Sequence, residues 1–186
     1  MTTRYGYATL TPAMEAELAT IVGGQDVFDF ACGRGELARW MVRHGAASVT
    51  AIDKDCLVQT RSKRIQPVKA CIDRVALPDR IAVGVTVWPI NRAIAGLVPA
   101  LHRCDTVVYI GCNDAATMCG PQDLFSYLLT RELLAYHAHP QNSMVVVGKP
   151  LLEGQTRSPT QEEAAGLAAW QQIQEAGLVA PRWFGR

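Results

Sequence analysis

The chain has 186 residues, enough for one compact domain with a sizeable core but too few for a catalytic domain plus a separate substrate domain. Its 18 Lys and Arg residues balance 17 Asp and Glu residues, so the net charge of +1 does not mark the whole molecule as a nucleic-acid or membrane binder. With 49% hydrophobic and 19% charged residues, 15 Gly and 10 Pro, the composition excludes a disordered chain, a coiled coil and a fibrous repeat.

The first half of the chain predicts an alternation of helices and strands. A leading helix is expected at 13–22, with Thr11 as its cap and Pro12 in its first turn. The elements expected next are a strand at 27–31, a glycine turn, a helix at 36–44, a strand at 48–52 and a helix at 57–65.

The second half continues the alternation. The elements expected there are a strand at 81–88, a helix at 91–102 interrupted by Pro99, a strand at 106–110, the longest helix at 121–137, a strand at 144–147, a helix at 160–176 and an edge strand at 178–184. Strands that read as Val/Ile-rich runs and alternate with helices are typical of a parallel sheet covered on both faces. The sequence therefore predicts an α/β fold with a three-layer, doubly wound, mostly parallel sheet.

The segments that follow the strands are the places to look for a site. In a doubly wound sheet, ligands bind beyond the carboxyl ends of the strands. The segments expected there are 32–35, 53–55, 88–91, 111–114 and 148–150.

The turn after the first of these strands has the sequence Asp29-Phe-Ala-Cys-Gly-Arg-Gly35. Glycines at 33 and 35 allow a ligand to approach the backbone at the start of a helix, where free N–H groups point outwards. Gly33, Gly35 and Ala38 also fit the G-x-G-x-x-A pattern of dinucleotide-binding folds. Asp29 lies inside the strand, however, and an acid there suits a cationic ligand better than a pyrophosphate.

The pattern Asp29-x-Ala31-x-Gly33-x-Gly35 resembles the first motif of the class I S-adenosylmethionine-dependent methyltransferases, and Asp53 resembles the acid that ends their second strand. The resemblance covers about residues 26–150 and implies a Rossmann-like fold, S-adenosyl-L-methionine as cofactor, and methyl transfer. It implies that the turn lies against the methionyl part, that Asp29 helps to hold the amino group, and that Asp53 accepts hydrogen bonds from both ribose hydroxyls. The cofactor-binding residues expected from it are Asp29, Ala31, Gly33, Gly35, Asp53, Lys54, Trp88, Asn91 and Gly111.

The sequence departs from the family pattern at three places. Ala31 replaces the first glycine of the motif, and Trp88-Pro-Ile-Asn91 stands where the family often has an acid or amide that reads the adenine. Either Asn91 or stacking by Trp88 could substitute for that group. The closing antiparallel strand is expected to be abbreviated or absent, which gives a fold abbreviated at its C-terminal end. We interpret residues 1–186 as one domain, with a leading helix (1–25), a cofactor-binding core (26–150) and a final helix and edge strand (151–186).

Residues 111–114, Gly-Cys-Asn-Asp, follow the fourth predicted strand and face the expected position of the methyl acceptor. Asp114 is a candidate base and Asn113 a candidate orienting group, although both could instead cap or form the turn before the next helix. Cys112 is a candidate nucleophile of the kind found in cytosine C5 enzymes, with a buried, unreactive thiol as the alternative. The Asp/Asn-Pro-Pro-aromatic motif of amino-methylating nucleic-acid enzymes is absent, which argues against N6-adenine or N4-cytosine chemistry.

Two further patterns leave alternatives open. The four histidines are expected to end helices rather than bind a metal, because no carboxylate or cysteine joins them at ligand spacing; they are His44, His102, His137 and His139. A basic stretch is either the solvated face of the helix at 57–65 or a local nucleic-acid surface. Its residues are Arg61, Lys63, Arg64 and Lys69, followed by Arg74 and Arg80.

The leading hypothesis is a methyltransferase whose acceptor is a nucleic acid, a protein or a small molecule. The alternatives are a non-catalytic S-adenosylmethionine-binding or interaction module with this fold and a nicotinamide-dependent oxidoreductase. An oligomer or partner chain could supply substrate recognition. Because residues 1–10 lack the apolar run of a signal peptide, no stretch reaches a membrane span, and the six cysteines form no C-x-x-C pair, the sequence predicts a cytoplasmic protein with reduced thiols and no membrane contact.

Overall fold

Seven strands form one mixed sheet in the computed structural model of this protein, which describes residues 3–5, 8–89, 96–111, 122–140 and 142–175. A two-stranded hairpin precedes the sheet and consists of β1 (Thr3–Tyr5) and β2 (Ala8–Leu10). The sheet strands are β3 (Asp26–Phe30), β4 (Ser48–Asp53), β5 (Ile65–Lys69), β6 (Ile81–Val87), β7 (Cys104–Gly111), β8 (Arg131–His137) and β9 (Ser143–Pro150). Their order across the sheet is β5-β4-β3-β6-β7-β9-β8.

Helices cover both faces of the sheet. They are α1 (Pro12–Val22), α2 (Glu36–Arg43), α3 (Leu97–Leu101), α4 (Gln122–Leu129) and α5 (Gln161–Glu175), with a short 3-10 helix at Ile72–Arg74. Apolar side chains alternate along the strands, so Val108 packs with α1 and α2 on one face whereas Val107 packs with α3 and α4 on the other. The three-layer, doubly wound architecture predicted from the sequence is confirmed.

The leading helix begins as predicted. Thr11 caps α1 by accepting a hydrogen bond from the backbone N–H of Met14 (3.2 Å), and Pro12 occupies the first turn. The hairpin that precedes α1 is joined by hydrogen bonds to Asn142, the residue directly before β9. The buried amide of Asn142 accepts from the Thr9 N–H (2.9 Å) and donates to the Thr9 carbonyl (3.0 Å), as a neighbouring strand would.

The expectation of an abbreviated or absent closing antiparallel strand is wrong, because β9 is that strand. It runs antiparallel to both β7 and β8, while the other four strand pairings of the sheet are parallel. Its direction follows from the connection before it: residues 138–142 are too few for a parallel crossover but enough for a hairpin. The apolar run at 144–147 fits a strand of either direction.

The helix predicted at 121–137 is also wrong in its second half. The helix ends at Leu129, and Arg131–His137 form the edge strand β8. This leucine-containing stretch has good helix formers, but pairing with β9 overrides that preference. The register of the pair shifts twice between Arg131 and Ala135, which hides the alternation that normally reveals a strand.

No helix follows β4, contrary to the prediction for 57–65. Residues 56–62 have no regular secondary structure, and β5 begins at Ile65. Pro99 does not interrupt a helix either, because α3 begins at Leu97 and its first turn tolerates proline. The expected edge strand at 178–184 and residues 91–95 of the expected helix lie outside the described residues.

The buried side chain of Arg131 forms hydrogen bonds with β9, β7 and α4. Arg131 is 1% exposed, and its guanidinium donates to the carbonyls of Gly148 (2.5 Å), Cys104 (2.7 Å) and Asp105 (2.8 Å) and to the hydroxyl of Tyr127 (2.8 Å). These bonds replace those that the guanidinium would make to water.

In the part of the chain that the structure describes, no helix is both long and apolar enough to cross a membrane.

Candidate cofactor-binding site

The carboxyl ends of the parallel strands meet at one edge of the sheet and bring the predicted site residues together. Asp29 lies in β3, Asp53 ends β4 and Gly111 ends β7. The prediction that residues 148–150 share this edge is wrong: Ser143 pairs with Gly111, whereas Val147 pairs with Val107 nearer the start of β7. The antiparallel direction of β9 therefore places 148–150 at the opposite edge.

The turn between β3 and α2 has an unusual backbone. Ala31, Gly33 and Gly35 all have left-handed conformations, with φ of 65°, 52° and 68°. The N–H groups of Ala31 and Cys32 donate to the carbonyl of Ile52 (2.8 and 3.1 Å), which fastens the turn to β4. The positive φ of Ala31 accounts for the preference for glycine at this place in the motif that the sequence resembles.

Gly33 and Gly35 differ in the space beside them. A Cβ atom added at Gly33 would meet no atom within 4 Å, whereas one added at Gly35 would lie 2.6 Å from a methyl carbon of Val58. Gly35 also precedes α2 and has no side chain with which to cap it. Gly35 thus allows close packing within the protein, while Gly33 leaves open space at the surface of the turn.

This difference predicts unequal costs for the two alanine substitutions. Gly33→Ala is expected to lower the free energy of unfolding by about 1 kcal/mol through backbone strain alone, and Gly35→Ala by about 2 to 3 kcal/mol because Val58 must also move. Urea unfolding of both variants measures the costs. Val58→Ala should recover part of the loss in Gly35→Ala and none in Gly33→Ala. Equal losses in the two variants would contradict this account of the turn.

Asp53 joins the turn to the loop after β4. Its Oδ2 atom accepts from the backbone N–H of Gly33 (3.0 Å) and its Oδ1 atom from that of Asp55 (2.8 Å). A carboxylate oxygen has two lone pairs, so each oxygen can accept a second hydrogen bond. The side chain is half-buried and remains accessible to a ligand.

Asp29 is buried in β3, with 2% of its surface exposed. Burial, and to a smaller extent the negative charge of Asp53, raises the pKa of Asp29 to about 7. Its Oδ2 atom has no hydrogen-bond partner among the residues that the structure describes. A buried carboxyl oxygen without a donor costs free energy, and a cationic or hydrogen-bonding ligand would remove that cost.

Cys32, in the turn after β3, and Cys56, in the loop after β4, lie close together. The sulfur atoms of Cys32 and Cys56 are 3.8 Å apart, and both side chains are half-buried. Burial, together with the charge of Asp29 and the contact with Cys56, raises the pKa of the Cys32 thiol well above its usual range. Sequence reasoning missed this pair, although each residue follows the end of one of two neighbouring strands.

Comparison with known proteins identifies the architecture. Neither a protein-family model nor a curated protein sequence matches the chain at a significant level. Among solved structures, a protein from Streptococcus pneumoniae provisionally described as a tRNA (m1A22) methyltransferase, in complex with S-adenosyl-L-methionine, aligns with a TM-score of 0.55 and 15% identity over 90% of this chain and 88% of its own. Magnesium protoporphyrin IX methyltransferase from Synechocystis, with its bound cofactor, aligns with a TM-score of 0.53 and 13% identity over 74% and 76%.

A third structure, from Pyrococcus horikoshii and provisionally described as an RNA methyltransferase, aligns with a TM-score of 0.57 and 14% identity over 76% of this chain and 86% of its own. The 186-residue chain therefore has the class I methyltransferase fold. At these identities the likeness concerns the fold alone. The glycine turn, Asp29 and Asp53 lie at the edge of this class I methyltransferase fold where the sequence predicts the cofactor.

Three of the remaining predicted site residues lie in the described part of the chain. Trp88 follows β6 with a φ of 47° and is half-buried, and the Lys54 ammonium lies 3.8 Å from the Asp55 carboxylate. Gly111 is buried, and a Cβ atom there would collide with the hydroxyl of Tyr109, a side chain that sequence reasoning did not single out. The predicted residues outside the described part of the chain are Asn91, Cys112, Asn113 and Asp114.

The four histidines lie at three places in the fold. His44 ends α2 and stacks on Trp40 (3.9 Å between ring centroids), and His102 ends α3, as predicted. His137 ends the strand β8 and His139 follows it, so the prediction that they end a helix is wrong. Within the described ranges, no group of three or more His, Cys, Asp or Glu side chains could hold a metal ion.

Proposed function

We propose that this protein binds S-adenosyl-L-methionine at the turn between β3 and α2 and transfers its methyl group to an acceptor. One observation carries the proposal. The Oδ2 atom of Asp29 is buried at the carboxyl edge of the sheet, and no hydrogen-bond donor of the described residues reaches it. The ammonium of the cofactor is a donor of the required charge. A pyrophosphate would instead bring negative charge towards two carboxylates, so a dinucleotide fits this edge poorly.

The other residues of the edge fit the remaining parts of the cofactor. Asp53 keeps one free lone pair on each oxygen after bonding Gly33 and Asp55, which suits the two hydroxyls of a ribose. The open space beside Gly33 lets the methionyl part approach the backbone. Trp88 and Asn91 stay predicted contacts for the adenine, and Lys54 and Gly111 stay predicted members of the site.

The bound cofactor supplies a methyl group activated by a positively charged sulfur. The protein's own contribution is to hold this group and an acceptor in line and to exclude water from the space between them. If the accepting atom carries a proton, a base must receive it, and Asp114 remains the predicted base, with Asn113 as orienting group. Cys112 stays a candidate nucleophile for an acceptor attacked at carbon.

The structural neighbours do not select the acceptor. Their descriptions name RNA, tRNA and a porphyrin, so proteins with this fold methylate acceptors of very different size and charge. The proposal is therefore methyl transfer from S-adenosylmethionine, with the acceptor class left to experiment.

A ligand that binds only the folded protein must raise its apparent stability. S-adenosylhomocysteine, the demethylated product, at about 100 times its dissociation constant is expected to add about 2.7 kcal/mol and to raise the unfolding temperature by roughly 8 °C. The measurement is thermal unfolding with the product, with NAD at the same concentration as control. A shift with NAD and none with the product would overturn the proposal in favour of a nicotinamide enzyme.

Methyl transfer itself needs a second measurement. Protein that responds to the product is incubated with S-adenosylmethionine carrying a tritiated methyl group and with total RNA, DNA, protein or metabolite extract. Label in one acceptor class is the expected result. Cofactor binding without transfer to any of the four classes would contradict the catalytic half of the proposal and favour a binding module.

A further inference from the structure

One edge of the sheet carries positive charge that the balanced composition conceals. Residues 34–74 contain nine Lys or Arg and four Asp or Glu, so the rest of the chain carries a net negative charge. No acidic residue stands between Asp55 and Asp73. The seventeen residues between them hold four cations, here called the basic edge: Arg61, Lys63, Arg64 and Lys69.

The basic edge is exposed and uncompensated. All four side chains are exposed, and none of them is in a salt bridge within the described residues. Arg64 donates one hydrogen bond to the carbonyl of Ala46 (3.3 Å). By contrast, Arg80 and Arg103 each lie beside an aspartate, Arg80 at 2.9 Å from Asp105. In the described part of the chain, the charges of the basic edge therefore face solvent without a counter-ion.

The basic edge also has an extended shape and a defined position. It is carried by the loop before β5 and by β5, the outermost strand, rather than by the helix that the sequence predicted. Lys69 pairs in register with Asp53, so one end of the basic edge lies beside the candidate cofactor site. Cations spread along extended backbone match a ligand whose negative charges repeat along a chain.

Other occupants of this edge fit less well. A second copy of the chain would bring like charges together, and Pro67 in β5 lacks the N–H that strand addition uses. A membrane surface is usually bound by an amphipathic helix that inserts several apolar side chains, whereas this segment is not helical and Leu57 is the large hydrophobic side chain exposed near it. A polyanion that needs no apolar insertion remains the best match.

We propose that the basic edge binds the phosphate backbone of a nucleic-acid strand. The phosphates of RNA and DNA offer the same charge chemistry, so the experiment includes both. The inference does not rest on the proposed function, because phosphate binding requires no cofactor.

The first test compares two exposed lysines, Lys69 in the outermost strand β5 and Lys149 in β9, which lies next to the edge strand β8 on the other side of the sheet. Fluorescence anisotropy measures the affinity for a labelled 20-nucleotide single-stranded RNA of mixed sequence and for the matching DNA. Lys69→Glu is expected to weaken binding about fivefold at 0.1 M salt, and Lys149→Glu, with the same change in net charge, less than twofold. Equal losses in the two variants, or no binding of either strand by the wild type at 0.05 M salt, would overturn the proposal.

The second test is the salt dependence of the affinity. Four phosphate contacts predict a slope of about −2.8 for the logarithm of the association constant against that of the salt concentration, and the triple variant Arg61→Glu, Lys63→Glu, Lys69→Glu should reduce it to about −0.7. An unchanged slope would contradict the assignment, as would tighter binding to phosphatidylserine vesicles than to RNA or DNA. The triple variant must keep the wild-type circular dichroism spectrum and the thermal shift with S-adenosylhomocysteine. If the wild type binds RNA through this edge but shows no such shift, the proposed function fails and the basic edge stands.

Discussion

Asp29→Asn is expected to stabilise the protein at pH 8 by about 4 kcal/mol while weakening its binding of the cofactor. The physical reason is that the folded state buries this carboxyl group and raises its pKa to about 7 from the ordinary 3.8. Above pH 7 the folded protein must hold a buried negative charge, which asparagine removes. The stability gained and the affinity lost have the same origin, since the unpaired Oδ2 atom is also the proposed partner of the cofactor's ammonium.

The sign of the pH dependence follows from proton binding. Between about pH 4 and pH 7 the folded state holds the proton of Asp29 and the unfolded chain does not, so the stability of the wild type should fall as the pH rises through this range and level off above it. Affinity for the cationic cofactor should move in the opposite direction and increase as Asp29 ionises.

Thermal unfolding at pH 5 and pH 8 measures how the substitution and the pH change the stability. At pH 8 the unfolding temperature of Asp29→Asn should exceed that of the wild type by roughly 10 °C, and at pH 5 by only roughly 4 °C, because most of the loss between pH 4 and pH 7 has not yet occurred there. Asp26→Asn is the matched control, because it removes an exposed acid from the same strand. If Asp26→Asn reproduces the gain at pH 8, the effect belongs to net charge and not to the burial of Asp29.

Asp53→Ala is expected to weaken the binding of S-adenosylhomocysteine about 100-fold. Two hydrogen bonds from ribose hydroxyls to a carboxylate contribute about 1.5 kcal/mol each, and the substitution also frees the backbone N–H groups of Gly33 and Asp55 that organise the turn. Isothermal titration calorimetry measures the affinity. Asp53→Asn should fall between the wild type and Asp53→Ala, because its single side-chain oxygen cannot accept from both sides at once.

Asp55→Ala controls for the loss of charge beside the turn. Asp55 is exposed, and its carboxylate lies near the ammonium of Lys54 at the surface, 3.8 Å away, so its removal should change the affinity less than twofold. Full affinity in a folded Asp53→Ala protein would rule out the ribose contact.

The part of the fold that the sequence predicted well is the part in which local pattern and tertiary role agree. Val-rich β6 and β7 are buried on both faces, so their apolar runs could be recognised without knowing their neighbours. The glycine turn could be recognised because its conformation needs glycine at 33 and 35. Thr11 and Pro12 likewise mark the start of α1 through local chemistry.

Prediction failed where structure depends on partners distant in sequence. The second half of the expected long helix becomes β8 only because β9 pairs with it, and its shifts in register erase the period-2 pattern. The direction of β9 depends on the hairpin that precedes it and cannot be read from Met144–Val147. The loop after β4 is held by Asp53 and by the carbonyl of Gly33, which accepts from the N–H of Leu57 (3.0 Å), rather than by helical hydrogen bonds.

In the candidate site too, some features can be read from local sequence and others depend on partners distant in sequence. Asp29, Gly33, Gly35 and Asp53 could be chosen from spacing, because each follows or ends a recognisable strand. The contact of Cys32 with Cys56 requires β3 and β4 to be neighbours, and the exposure of the basic edge requires β5 to be outermost.

The pairing of Asn142 with Thr9 has a consequence for the order in which the protein folds. It joins residues 133 positions apart, so the cost in chain entropy of bringing them together must be met by other contacts first. Asn142 immediately precedes β9, which can join the sheet only once β7 is in place beside it. The N-terminal hairpin is synthesised before the sheet, and we expect its hydrogen bonds to Asn142 to form late in folding.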